Sequence, residues 1–126
     1  MKKLYIKETL NSPKVLFDPS KKRYEISGKS FPENSKTFYE PVFEWINELT
    51  VAEADKMQFA LLFDYISSSS VITIKQLLAK IKGLCDKGAD IQVMWHYDAA
   101  DPDIRDVGEE YKKLIGLDIT LVERPA

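Results

Sequence analysis

Ten consecutive residues, M-Q-F-A-L-L-F-D-Y-I from Met57 to Ile66, constrain the fold of this chain more than any other stretch. They are too continuously apolar for a strand covered on one side and too short for most helices. The run is therefore predicted to be the central strand of a sheet, covered on both faces.

A helical pattern succeeds the run. After Ser67, Ser68, Ser69 and Ser70, the residues Val71, Ile74, Leu77, Leu78, Ile81, Leu84 and Cys85 mark one helix face, and Gly88 is placed to end it. Ile91, Val93, Trp95 and Tyr97 then alternate as a strand should. Asp101 is expected to cap a further helix whose first residue is Pro102, with Ile104, Val107, Tyr111, Leu114 and Ile115 inward. Ile119 to Val122 can form a last strand.

Before the central run lie three short apolar clusters, Leu4 to Ile6, Val15 to Phe17 and Tyr24 to Ile26, separated by the turn compositions N-S-P and D-P-S-K-K. They are predicted to be antiparallel strands at one edge of the sheet. Gly28 opens G-K-S-F-P-E-N-S, which has loop chemistry. Phe38, Val42, Trp45, Ile46 and Leu49 then recur at helical spacing. Thr37 and Glu40 have the spacing of a capping box, although Pro41 would then fall where the first intrahelical amide bond forms, so an irregular first turn is expected.

The expected architecture is α/β: residues 1–126 as one domain, a mixed β-sheet carrying amphipathic helices, an N-terminal antiparallel hairpin, and right-handed crossovers onto parallel neighbours from Met57 onward. At 126 residues, 44% of them hydrophobic, the chain can bury about two thirds of its unfolded surface. A single cysteine, Cys85, permits no internal disulfide. No apolar stretch approaches the ~20 residues of a membrane helix, and the first ten residues lack a signal-peptide core, so a cytoplasmic protein without membrane contact is expected.

The net charge is −2, with both signs interspersed. Lys2, Lys3, Lys7, Lys14, Lys21, Lys22 and Arg23 load the first quarter with positive charge but lack the interleaved aromatics of a nucleic-acid platform. Lysines that discourage pairing at a sheet edge account for them, and no nucleic-acid partner is expected.

Four chemistries compete for the polar residues. His96, Asp98, Asp101 and Asp103 suggest a metal site, but His96 is the only histidine, and capping explains Asp-Pro-Asp at a helix start. No metal or cofactor is expected. A small serine hydrolase would use Ser68 and His96, with Asp64 as the orienting acid, yet no G-x-S-x-G elbow is present and no glycine lies between Ala52 and Lys82. A phosphate-cradling loop lacks its glycines for the same reason.

The fourth reading concerns the serine run itself. One hydroxyl, Ser68 or Ser69, would suffice to cap the helix, and four are present. A strand that runs through serines into a helix places hydroxyls at a helix N-terminus, where a covalently attached phosphate would meet free amides and the positive end of the dipole.

Four separated motifs, in order along nearly the whole chain, carry a resemblance. The run Y-I-S-S-S-S-V at Tyr65 to Val71, the G-K-S-F-P-E-N-S segment at Gly28 to Ser35, the helix F-Y-E-P-V-F-E-W-I and the strand end W-H-Y-D together resemble the SiaC-type regulatory phosphoproteins. These are bacterial proteins whose fold is like that of the anti-sigma-factor antagonist SpoIIAA, a STAS-like fold.

The resemblance implies a non-enzymatic partner-switching protein. In that family a dedicated kinase phosphorylates a hydroxyl residue at the start of the helix after the central strand, and a PP2C-type phosphatase reverses the modification. The unmodified form activates a diguanylate cyclase, raising cyclic di-GMP and favouring biofilm. The family's usual phrase is tyrosine, an apolar residue, then asparagine-threonine-serine-serine, so laying Tyr65 on that tyrosine puts the acceptor at Ser68.

Sliding by one residue puts the acceptor at Ser67 and displaces Ile74, Leu77, Leu78 and Ile81 from the family's apolar positions. Here serine replaces the usual threonine and Ser67 replaces the usual asparagine. The expected site is Ser68, with Ser67 and Ser69 as alternatives, and Tyr65, Ser67, Ser69, Ser70 and Val71 facing the partner. The small hydrolase and a STAS-like adaptor that is never phosphorylated are the other readings.

Overall fold

The computed structural model describes residues 1–125. Its elements, in chain order, are β1 (Leu4–Ile6), β2 (Lys14–Asp18), β3 (Arg23–Ser30), α1 (Ser35–Glu48), β4 (Met57–Ile66), α2 (Ser68–Asp86), β5 (Ile91–Asp98), α3 (Pro102–Ile115) and β6 (Ile119–Arg124). The six strands form one sheet in sequence order, β1-β2-β3-β4-β5-β6. The first three are antiparallel neighbours, and β3 through β6 run parallel.

That order has a direct consequence for the helices. Each of the connections through α1, α2 and α3 moves one strand further in the same direction, and right-handed crossovers that all advance the same way land on the same face. Helix α2 accordingly packs between α1 and α3. The burial of β4 reflects this arrangement: Met57, Phe59, Leu61 and Phe63 are buried, Gln58 and Asp64 are exposed, and Ala60 and Leu62 are half-buried. The strand spans the predicted residues, but it is covered by helices on one face and not on two.

The core on the covered face is aromatic. Phe17 packs edge-on against Trp45 at 4.9 Å and Phe59 at 5.3 Å. Across the sheet Trp95, fully buried, packs edge-on against Tyr111 at 5.4 Å and donates from Nε1 to the Ile104 carbonyl at 2.8 Å. Among the described residues no helix is long and apolar enough to cross a membrane.

Three local expectations are corrected. The start of α1 is capped by Asn34, whose side chain accepts from the Thr37 amide at 3.0 Å, and not by Thr37 with Glu40. With Asn34 as cap, the first intrahelical bond runs from the Phe38 amide to the Asn34 carbonyl, and Pro41 deletes a bond only one turn later. Gly28, Lys29 and Ser30, expected as loop, continue β3, and Gly28 there has φ +114°. Leu114, expected inward, is 58% exposed, because the buried stripe of α3 is Ile104, Gly108 and Tyr111.

Candidate functional site

The ends of β3 and β4 and the starts of α1 and α2 meet at one end of the sheet. Strands β3 and β4 are in register from Tyr24 opposite Phe59 to Gly28 opposite Phe63, after which Lys29 pairs with Tyr65 and Ser30 with Ile66. Asp64 is thus the extra residue of a bulge. The shift turns Tyr65 outward beside the exposed Lys29, while β3 keeps its alternation and Ser30 follows Tyr24, Ile26 and Gly28 into the interior. The Ser67 amide then donates to the Ser30 carbonyl at 2.8 Å, which fixes where β4 stops and α2 begins.

The four serines have four different environments. Ser67 is the N-cap of α2, its Oγ accepting from the Ser70 amide at 3.2 Å, so the cap is one residue earlier than expected. Ser68 is the first helical residue, exposed, and among the described residues its hydroxyl makes no hydrogen bond. Ser69 is exposed, but its Oγ lies 2.9 Å from Ser35 Oγ and 3.3 Å from Ser67 Oγ. Ser70 is fully buried, with its Oγ 2.9 Å from Ser30 Oγ and 3.1 Å from Ser35 Oγ.

Ser70 therefore cannot face a partner as expected: it supports the site from beneath. Ser30 in turn lies 2.7 Å from the Tyr39 hydroxyl, in the core of α1. Ser30 donates to Ser70 and has only one proton, so Tyr39 donates to Ser30; passing the buried protons on from Ser70 to Ser35 and from Ser35 to Ser69 leaves neither buried hydroxyl without an acceptor, and the Ser69–Ser67 contact can run either way. Burial pushes the Tyr39 phenol well above its ordinary pKa, which keeps its proton in place as the first donor.

A Tyr39→Phe protein tests the buried end of this chain. It removes one hydrogen bond while Ser30 keeps its bond to Ser70, so the expected loss is about 1 kcal/mol. Thermal melting should fall by roughly 3–6 °C, with the surface around Ser68 unchanged.

Around Ser68 the surface is apolar. Tyr65 is 51% exposed and Phe31 stands edge-on to it at 5.6 Å. Ile72, one helical turn beyond Ser68 on the same face, is 61% exposed. Val71 is half-buried, and its carbonyl accepts from the Tyr111 hydroxyl at 2.6 Å, which ties α3 to the first turn of α2.

The residues of the hydrolase reading are not brought together. His96 pairs in register with Leu62 and shares its open face of the sheet, opposite the face that α2 covers. No hydrogen bond joins it to Ser68 or Asp64 among the described residues, and Asp64 faces the Arg124 guanidinium at 3.8 Å. Burial, together with the Arg124 charge, holds the His96 imidazole below its usual pKa, so it is uncharged at neutral pH. Among the described residues no three of the His, Cys, Asp and Glu side chains cluster as metal ligands. Asp98 accepts from the Ala100 amide in the turn after β5, and Asp101 caps α3 as expected, accepting from the Ile104 amide.

Sequence reasoning missed Ser30, Ser35 and Tyr39. Tyr39 was within reach of it, since it stands at helical spacing from Val42 and Ile46. The two serines carry no signal of their own in the sequence. Their partners in the serine run are 34 to 40 residues away.

The family model for the SiaC family of regulatory phosphoproteins matches residues 6–124. An uncharacterised protein of Pseudomonas aeruginosa strain UCBPP-PA14 is 24% identical over 113 residues, which is 90% of each chain. The crystal structure of apo-SiaC from Pseudomonas aeruginosa superposes with a TM-score of 0.85 at 23% identity, covering 97% of this chain and 99% of that one. A chain from the crystal structure of the diguanylate cyclase SiaD in complex with its activator SiaC, from the same organism, superposes with a TM-score of 0.83 at 21% identity, over 96% and 99% of the two chains. At these identities the structural likeness is one of fold.

Proposed function

The chain belongs to the SiaC family of regulatory phosphoproteins, and from that premise we propose that it is a non-enzymatic, cytoplasmic phospho-switch with Ser68 as the acceptor. A dedicated kinase adds the phosphate and a PP2C-type phosphatase removes it. The unmodified form binds and activates a diguanylate cyclase, as the activator SiaC is found with SiaD. Tyr65, Ser67, Ser69 and Val71, with Phe31 and Ile72 beside them, make up the docking face.

One observation supports this reading above the others: of the four serines, Ser68 alone is exposed with a hydroxyl that no neighbour occupies, at the first position of a 19-residue helix. A phosphate on it would meet the amides of the first helical turn and the positive end of the dipole, gaining ~0.3 to 1 kcal/mol. That is small beside a domain stability of ~5 to 15 kcal/mol, so the modification leaves the fold as it is. Burying the same near-dianion unpaired under a partner costs several kcal/mol, and each ~1.4 kcal/mol is tenfold in affinity. The switch acts on binding.

Phosphopeptide mapping after incubation with the host's kinase and ATP is the test. Phosphate on Ser68, absent from Ser68→Ala, is the expected result; phosphate nowhere in Ser67 to Ser70 would sink the proposal and favour an adaptor of the same fold.

A further inference from the structure

The hydroxyl chain beneath the serine run has a use that the choice of acceptor does not by itself require. Resting on the reading of Ser68 as the modified residue, we propose that Ser35 is a positioning residue for phosphorylation: it holds the Ser69 hydroxyl inward, so that the kinase meets one free serine where the sequence offers several.

Ser68 and Ser69 are neighbours of the same chemistry, both exposed, both in the first turn of α2. They differ in what their oxygens do. Ser69 Oγ accepts from Ser35 Oγ at 2.9 Å and shares a second hydrogen bond with Ser67 Oγ at 3.3 Å. Phosphoryl transfer needs that oxygen free: its lone pair forms the new bond to the γ-phosphorus of ATP as the bond to the β,γ-bridging oxygen breaks. ADP leaves, and the hydroxyl proton passes to a base on the kinase. Ser69 must first give up both hydrogen bonds and turn away from α1, which disfavours it by about tenfold or more against Ser68.

Ser35 is itself fixed. It is 5% exposed, it is the first residue of α1 after the Asn34 cap, and its oxygen accepts from Ser70, which is held from below by Ser30 and Tyr39. Its hydroxyl cannot swing to solvent and release Ser69. The start of α1 thereby edits what the start of α2 presents.

The experiment is phosphosite mapping on the protein and its variants expressed from its own locus in its own cells. Wild type should carry phosphate on Ser68 alone. Ser35→Ala should raise phospho-Ser69 at least tenfold, and Ser35→Ala combined with Ser68→Ala should move the phosphate to Ser69 instead of abolishing it. Ser30→Ala is the control: it breaks the same buried chain but leaves the Ser35 to Ser69 bond, so it should lower the melting temperature without releasing Ser69.

An unchanged pattern in Ser35→Ala, an equal release of Ser69 by Ser30→Ala, or phosphate on both serines of the wild type overturns this role for Ser35 while leaving Ser68 as acceptor. No phosphate on any serine of the run in the wild type overturns the acceptor assignment, and the role of Ser35 with it.

Discussion

A Ser68→Asp protein should bind the proposed diguanylate cyclase partner at least about 100-fold more weakly, while Ser68→Ala binds as the unmodified protein does. The substitution puts one permanent negative charge where the free hydroxyl stands, at the first position of α2. In the free protein that charge is welcome. The Ser68 and Ser69 amides have no carbonyl partner inside the helix, and the dipole adds ~0.3 to 1 kcal/mol, so the melting temperature should hold or rise slightly.

Under a partner the balance reverses. Tyr65, Phe31 and Ile72 offer apolar surface around the charge, and covering them takes the carboxylate out of water. The uncompensated penalty is several kcal/mol, of which about 2.7 kcal/mol already gives the 100-fold loss. Aspartate carries less charge than phosphate, so the modified protein itself should bind more weakly still. Calorimetric titration of both variants against the cyclase decides the matter: equal affinities would mean that the partner docks elsewhere.

Much of the frame around this site was legible in the sequence, because it is built from local signals. The apolar run marked the bounds of β4 to the residue, and Asp101 with Pro102 marked the start of α3, since both depend on neighbours within one turn or one strand. What the sequence could not show depends on pairs far apart. The single covered face of β4 comes from three crossovers of one hand, which no stretch of ten residues encodes. The inward turn of Ser70 depends on Ser30 and Ser35, and so does the distinction between Ser68 and Ser69. Four identical letters look redundant until their partners are known; then one caps, two are tied to other elements, and one is free.

The same dependence on distant neighbours makes one substitution opposite in sign at two glycines. Gly83 in α2 has nothing within 4 Å of where a Cβ would stand, so Gly83→Ala should gain up to about 1 kcal/mol of helix propensity and melt a few degrees higher. Gly108 in α3 would place its Cβ 2.4 Å from Cδ1 and 2.6 Å from Nε1 of Trp95. That ring has no room to move. It is fully buried, packed against Tyr111 and Phe63, and held by its bond to the Ile104 carbonyl. Relieving the clash means lifting α3 or breaking that bond, at ~1 to 3 kcal/mol each, against the ~1 kcal/mol gained in helix propensity.

A net loss of up to about 2 kcal/mol is expected for Gly108→Ala, which is up to roughly 6–12 °C in melting temperature for a chain of this length. The effect should also reach the serine run, because α3 holds the first turn of α2 through the Tyr111 hydroxyl on the Val71 carbonyl. Amide exchange at Val71 and Ile72 should therefore quicken in Gly108→Ala and stay unchanged in Gly83→Ala. If Gly108→Ala melts above the wild-type temperature, α3 does not seat against Trp95 as described, and its support of α2 goes with it.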